Sequence, residues 1–170
     1  MCSSDLYAQD LGFGEEVDQA ALAERKPDFL FAFTPLIIRE PLLSAPSIAA
    51  INFHTAPPKW PGRGSCSFAL FESDTAFGVT AHFMTEQIDA GSILLSQRFP
   101  IDPDETVASL HKKTLEEIPI LVANVLQNIQ DHEGKPVPSG EQWQRRALTK
   151  KDFYNAMRIP DDASDDEIRR

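Results

Sequence analysis

Ser47-Ile48-Ala49-Ala50-Ile51-Asn52-Phe53-His54 is the stretch that decides how this chain folds. It is short and nearly continuously apolar, as is Asp28 to Phe33 before it. Paired runs of this kind mark strands covered by helices on both faces, and so predict a parallel sheet. Successive strand side chains point to opposite faces, so Asn52 and His54 project together while Phe53 enters the packing on the other side. An amide and an imidazole therefore share a face near the C-terminal end of a buried strand, where open α/β sheets place ligands. Further on, Ile88-Asp89-Ala90-Gly91 puts a carboxylate in a Gly-ended loop after another strand, within reach of the same edge. Each residue alone has a plain reading: a strand-end amide, a structural histidine, a turn aspartate. Together they form an arrangement suited to catalysis on one ligand.

Outward from that strand, the pattern predicts a helix over Glu16 to Arg25 that Pro27 stops, and a short turn or helix over Glu40 to Leu43. A helix capped by Ser65 is expected over Ser65 to Phe71. The element order is then strand, helix, strand, helix. Phe77 to Met84 and Ser92 to Phe99 read as further strands joined by the loop Glu86 to Gly91. Thr106 to Asp131 reads as a long helix, announced by Asp102-Pro103-Asp104-Glu105 and apolar at helical spacing, with Pro119 expected to kink or split it. Asp131 to Gly140 is a polar crossing, and Gln144 to Leu148 an edge strand. Ala147 to Ile159 offers an apolar helix face (Leu148, Phe153, Met157, Ile159) for the core or for a second subunit, so a homodimer stays open.

Composition narrows the function. The chain has 170 residues, 42% of them hydrophobic, which suits one domain with one sizeable core. A net charge of −10 argues against a nucleic-acid-binding surface, which relies on clustered Lys and Arg. Cys2 and Cys66 are too few for a disulfide scaffold, in keeping with a reducing cytoplasm. The longest apolar run, Phe29 to Ile38, is broken by Thr34 and Pro35 and is about half the length of a membrane span. A soluble cytoplasmic protein is expected. His54, His82 and Asp89 can be imagined as metal ligands, but nothing in the pattern fixes three of them around one ion, and no metal is expected. His82 alternates with Thr80 and Met84 and is read as support for the site at best.

Four motifs in order resemble the 10-formyltetrahydrofolate-dependent formyltransferase family: Asn-x-His at 52 to 54, a Pro-rich segment ending in Gly, Gly78-Val79-Thr80, and Ile88-Asp89-Ala90-Gly91-Ser92-Ile93. The resemblance covers about Pro27 to Asp131. It implies an α/β, Rossmann-like formyltransferase fold, a mainly parallel sheet flanked by helices, with its N-terminal strands missing. It also implies attack of an amine on the formyl carbon of the folate, with negative charge developing on oxygen. Asn52 and His54 would donate to that oxyanion, while Asp89 would hold His54 charged and take the proton leaving the amine. For the pteridine of 10-formyltetrahydrofolate, the resemblance points to Leu36, Ile38 and Leu43 and to the backbone of Thr85, Glu86, Gln87, Ile88 and Asp89. Leu43 reads equally well as plain core.

The segment Thr55-Ala56-Pro57-Pro58-Lys59-Trp60-Pro61-Gly62-Arg63-Gly64 departs from the commonest family form and looks like the branch that formylates amino sugars carried on nucleotides. On that likeness Trp60 would contact the sugar or base, and Arg63, with the first amides of the Ser65 helix, would hold a phosphate. A rigid Pro/Gly turn is the plain reading. Methionyl-tRNA formyltransferase, formyltetrahydrofolate hydrolase, and a folate-binding or dimerisation fragment without turnover are the alternatives. The chain is expected to divide into residues 1–6, a non-native leader resembling a translated adapter; 7–131, on the resemblance an N-terminally truncated formyltransferase domain; and 132–170, an incomplete C-terminal extension.

Overall fold

In a computed structural model, the structure describes residues 23–34, 36–156 and 158. The expected leader, most of the Glu16 to Arg25 helix, and Met157 and Ile159 lie outside them. The strands β1 (Phe29–Ala32), β2 (Ala49–His54), β3 (Ala76–Phe83) and β4 (Ile93–Pro100) form one open sheet in that order. The helices that lie wholly among the described residues are α1 (Ser65–Phe71), α2 (Val107–Asp131) and α3 (Lys150–Ala156).

The expected parallel sheet holds only for the first pair. β1 and β2 run parallel, with Ala32 beside Asn52, whereas β2 with β3 and β3 with β4 are antiparallel, so the described sheet is mixed. The reason lies in the connections. α1 has seven residues, so it advances about 10 Å, roughly half the length of β2, and cannot return the chain to the sheet's other end. β3 therefore starts at the end where β2 stops. The short β3–β4 loop likewise allows only an antiparallel neighbour.

Of the two sheet faces, one is core. Ile51 and Phe53 of β2, Val79 and Ala81 of β3 and Leu94 of β4 pack under Leu121, Val125 and Ile129 of α2. Phe31 meets Phe53 edge-on at 5.6 Å between ring centroids. A second cluster gathers Ala56, Trp60, Cys66, Ala69, Phe77 and Leu110, with Leu148 packed against it.

α2 begins at Val107, two residues after the acidic announcement ends at Glu105. Thr106 is its N-cap: the Thr106 hydroxyl accepts from the Ser109 amide at 3.1 Å, and the Ser109 hydroxyl accepts from the Thr106 amide at 2.9 Å. This closes a capping box with Ser in the place usual for Glu or Gln. Thr106→Ala is expected to cost about 1 kcal/mol in a urea titration, and a loss within error would show that the box contributes nothing. Pro119 does not split the helix, which runs unbroken from Val107 to Asp131. Pro119 sits on its exposed side, where water can take the carbonyl that the missing N–H leaves.

Glu40 to Leu43 is a turn, one of the two readings expected. Other local expectations shift: the cap of α1 is Gly64, in the left-handed region at φ 77°, with Ser65 already helical. Gln144 to Leu148 forms no strand, only a parallel bridge between Leu148 and Gly62. α3 docks on the core side through Phe153, whose ring meets Phe68 edge-on at 6.0 Å. No helix among the described residues is long and apolar enough to cross a membrane.

Candidate active site

The sheet face opposite α2 carries the polar residues. Asn52 pairs with His82 and His54 with Thr80 across the β2–β3 ladder, and directly opposed residues share a face, so all four project together. Asp89 arrives differently from the sequence expectation. Because β3 is antiparallel to β2, its loop leaves beside Ala50, where the Met84 amide bonds the Ala50 carbonyl at 2.8 Å, and must fold back to reach His54. Two backbone features permit the return. Asp89 adopts φ 45°, a conformation Asp tolerates, and Gly91 lies so close to β3 that a Cβ would stand 1.9 Å from the Phe83 carbonyl oxygen.

The result is a carboxylate held from three sides. Asp89 is 8% exposed. Its Oδ2 accepts from the Gly62 amide at 2.7 Å and faces His54 Nδ1 at 3.4 Å, while Oδ1 faces His82 Nε2 at 3.2 Å. Burial works to raise its pKa, but the charge of His54, the His82 contact and the Gly62 amide outweigh that and hold Asp89 below the usual carboxylate value. Asn52 Nδ2 meets His82 Nε2 at 3.1 Å. His82 donates from Nδ1 to the Phe83 carbonyl at 2.8 Å, and His54 from Nε2 to the Trp60 carbonyl at 3.0 Å. Every ring nitrogen of the two histidines thus has a directed partner.

Asn52, His54 and Asp89 are therefore brought together, and His82, read from sequence only as support, stands between two of them at 3% exposure. The alternation Thr80-x-His82-x-Met84 was the signal for it. Trp143 had no such signal: its indole N–H donates to the Gly91 carbonyl at 2.8 Å, and its ring lies edge-on to His82 and His54 at 5.0 and 6.1 Å.

Trp60 is a correction. It is fully buried, stacked on Phe68 at 5.7 Å, with its N–H on Asp74 at 2.7 Å and the Arg145 guanidinium 4.0 Å over its ring. No surface of it is left for a sugar or base, because an indole in a Pro-rich loop closes the loop onto the core. Arg63 stands exposed beside it. Leu36, Ile38 and Leu43 are half-buried on the β1–β2 connection, with Leu42 taking the core position. Thr85, Glu86, Gln87 and Ile88 are exposed on the β3–β4 loop, where the Thr85 hydroxyl bonds the Gln87 carbonyl at 2.9 Å. Among the described residues no group of three His, Cys, Asp or Glu side chains is arranged to hold a metal ion.

The family model described as formyl transferase matches residues 2–126. A methionyl-tRNA formyltransferase of Nitrosomonas europaea is 38% identical over 97 residues, 56% of this chain and 30% of that protein. A sugar N-formyltransferase structure from Shewanella sp FDAARGOS_354 superposes with a TM-score of 0.69 at 22% identity, covering 89% of this chain and 60% of that one. HypX from Aquifex aeolicus, in complex with tetrahydrofolic acid, superposes with a TM-score of 0.62 at 25% identity, over 79% of this chain and 23% of its own. The chain thus spans about a third of the curated relative it matches. With the match running through both the Asn52–His54 strand and the Asp89 loop, the chain belongs to the formyl transferase family.

Proposed function

We propose that this chain transfers a formyl group from 10-formyltetrahydrofolate to the amino group of a nucleotide-linked amino sugar, with Asn52, His54 and Asp89 as its catalytic residues. The observation that carries the reading is the Asp89 carboxylate, buried yet kept ionised beside two imidazoles and an amide. Such a set suits a carbonyl that gains negative charge while a nitrogen loses a proton.

The donor supplies a formyl carbon open to attack by an amine. The chain's residues do the rest. Asn52 donates an amide N–H to the formyl oxygen, and His54 transfers its Nε2–H from the Trp60 carbonyl to the same oxygen. Asp89 orients that imidazole, takes the amine proton directly or through one water, and gives it to the folate nitrogen as that nitrogen's bond to the formyl carbon breaks and tetrahydrofolate leaves. Leu36, Ile38 and Leu43 line the pteridine side, and the backbone from Thr85 to Ile88 offers it hydrogen-bonding groups. Arg63 is assigned to the acceptor's phosphate. The relative solved with tetrahydrofolic acid supports the donor, and the sugar N-formyltransferase fold together with the Pro57-Pro58-x-Trp60-Pro61-Gly62 loop supports the acceptor.

One observation favours a second acceptor. The 38% identity is to a methionyl-tRNA formyltransferase, which would make the acceptor an aminoacyl-tRNA. The net charge of −10 opposes this. The two are separated by offering the chain 10-formyltetrahydrofolate with a panel of nucleotide-linked amino sugars, with initiator methionyl-tRNA, and with water alone. Formylation of a sugar is the expected result. Formylation of tRNA alone, or hydrolysis alone, overturns the sugar reading.

A further inference from the structure

The segment after α2 crosses the site. Its hydrogen bonds run first to one and then to the other of the two loops that build it. The Ser139 amide bonds the Ile93 carbonyl at 3.0 Å and the Trp143 indole bonds the Gly91 carbonyl at 2.8 Å, both at the return of the Asp89 loop. The Gln144 amide then bonds the Pro58 carbonyl at 3.0 Å and the Leu148 amide the Pro61 carbonyl at 2.8 Å, both on the Pro-rich loop. The Arg63 amide returns the contact to the Leu148 carbonyl at 2.9 Å. Residues 139–148 thus tie the loop that supplies Asp89 to the loop whose Trp60 carbonyl and Gly62 amide hold His54 and Asp89. They lie beyond residues 2–126, the part matched by the family model.

Between those two ties stands Trp143, half-buried, with its ring 5.0 Å from His82 and 6.1 Å from His54 at interplanar angles of 82° and 65°. Edge-to-face contact of this kind fixes ring planes as well as filling space. Both imidazoles have defined planes, each aiming one nitrogen at a backbone carbonyl and the other at Asp89.

We infer that Trp143 is a positioning residue of the active site, holding the His54 and His82 rings against Asp89, so that the segment 139–148 completes the site. Trp143 touches no reacting atom. It acts through the imidazoles, much as outer-shell partners orient the ligands of a metal centre. The kinetic part of the inference rests on the formyl-transfer reading above, and the geometric part does not.

The test compares the full chain with Trp143→Phe and Trp143→Ala, and with Trp143→Leu should the Ala variant not fold. The first readout is proton NMR of the ring N–H protons of His54 and His82, which are visible only while each ring is held on its carbonyl. They are expected in the unaltered chain and in Trp143→Phe, and expected to vanish in Trp143→Ala or Trp143→Leu. The second is formyl-transfer kinetics: kcat is expected to fall about tenfold or more in the Ala or Leu variant with KM within about twofold, and Phe to restore most of it. Ring protons that persist without the aromatic ring, or Phe proving as harmful as Ala, overturn the inference. Absence of transfer by the unaltered chain to any acceptor overturns the functional reading instead, and the NMR comparison still decides the role of Trp143.

Discussion

Asp89→Asn is expected to slow formyl transfer by about a thousandfold, with folate affinity changed little, because it removes the only proton acceptor proposed at the site together with the carboxylate that faces the His54 ring. The substitution is a clean one. Asp89 sits at φ 45°, where Asn is equally at ease, and the Asn oxygen can still accept from the Gly62 amide at the position now 2.7 Å away. Backbone placement of the loop is thereby kept while the chemistry is lost. Single-turnover rates would measure this, and a loss smaller than about tenfold would remove Asp89 from the catalytic set.

The same substitution changes the pH dependence of stability. Folding holds Asp89 below its ordinary value of 3.8, so the carboxylate stabilises the fold fully above that value and loses its contribution as pH falls through the lower, folded one. The stability gap between the unaltered chain and Asp89→Asn should narrow as pH falls below about 4. A gap that widened on acidification would show that the two imidazoles do not hold the group ionised.

Trp60→Ala is expected to cost about 4 kcal/mol of folding stability, enough to unfold a marginal domain. The indole is fully buried and lies in the second core cluster, stacked on Phe68 with its N–H on Asp74. Its loss leaves a cavity and strands an Asp74 oxygen, and both effects destabilise. Because the Trp60 carbonyl holds His54, activity should fall along with stability. Denaturant titration with the substrates absent gives the measurement. A loss under about 1 kcal/mol, joined to a raised KM for the acceptor, would reinstate Trp60 as a ligand contact.

How far the chain was legible follows from the range of each force. Alternation along a strand is local, so the shared face of Asn52 and His54, and the placing of Phe53 in the core, followed from six residues. Helical periodicity is also local, and α2 was found with its end at Asp131 and its start within one residue. The capping box escaped notice because a Ser replaced the usual Glu at its third position. The split at Pro119 fails for a related reason: a proline's cost depends on whether its side of the helix is wet, which is a property of the packing.

Direction and closure were not local. Nothing in the apolar runs of β3 and β4 told parallel from antiparallel, and only the shortness of α1 and of the β3–β4 loop decided it. The burial of Trp60 depended on where the Pro-rich loop comes to rest, and an aromatic residue beside Pro and Gly reads the same from sequence in a core as at a ligand. Trp143 lay furthest from reach, since its hydrogen-bond partner Gly91 is 52 residues away.

The sequence by itself determined which groups can meet: an amide, an imidazole and a carboxylate at spacings that strand alternation and a Gly-ended turn bring within range of one another. Only the tertiary structure decided how those groups are held. Placing a second histidine between Asn52 and Asp89, turning the Asp89 loop back over β3 and laying residues 139–148 across both loops all depend on contacts between distant segments. Such contacts are settled by how the whole chain packs, because a hydrogen bond or ring contact between distant segments leaves no period in either of them.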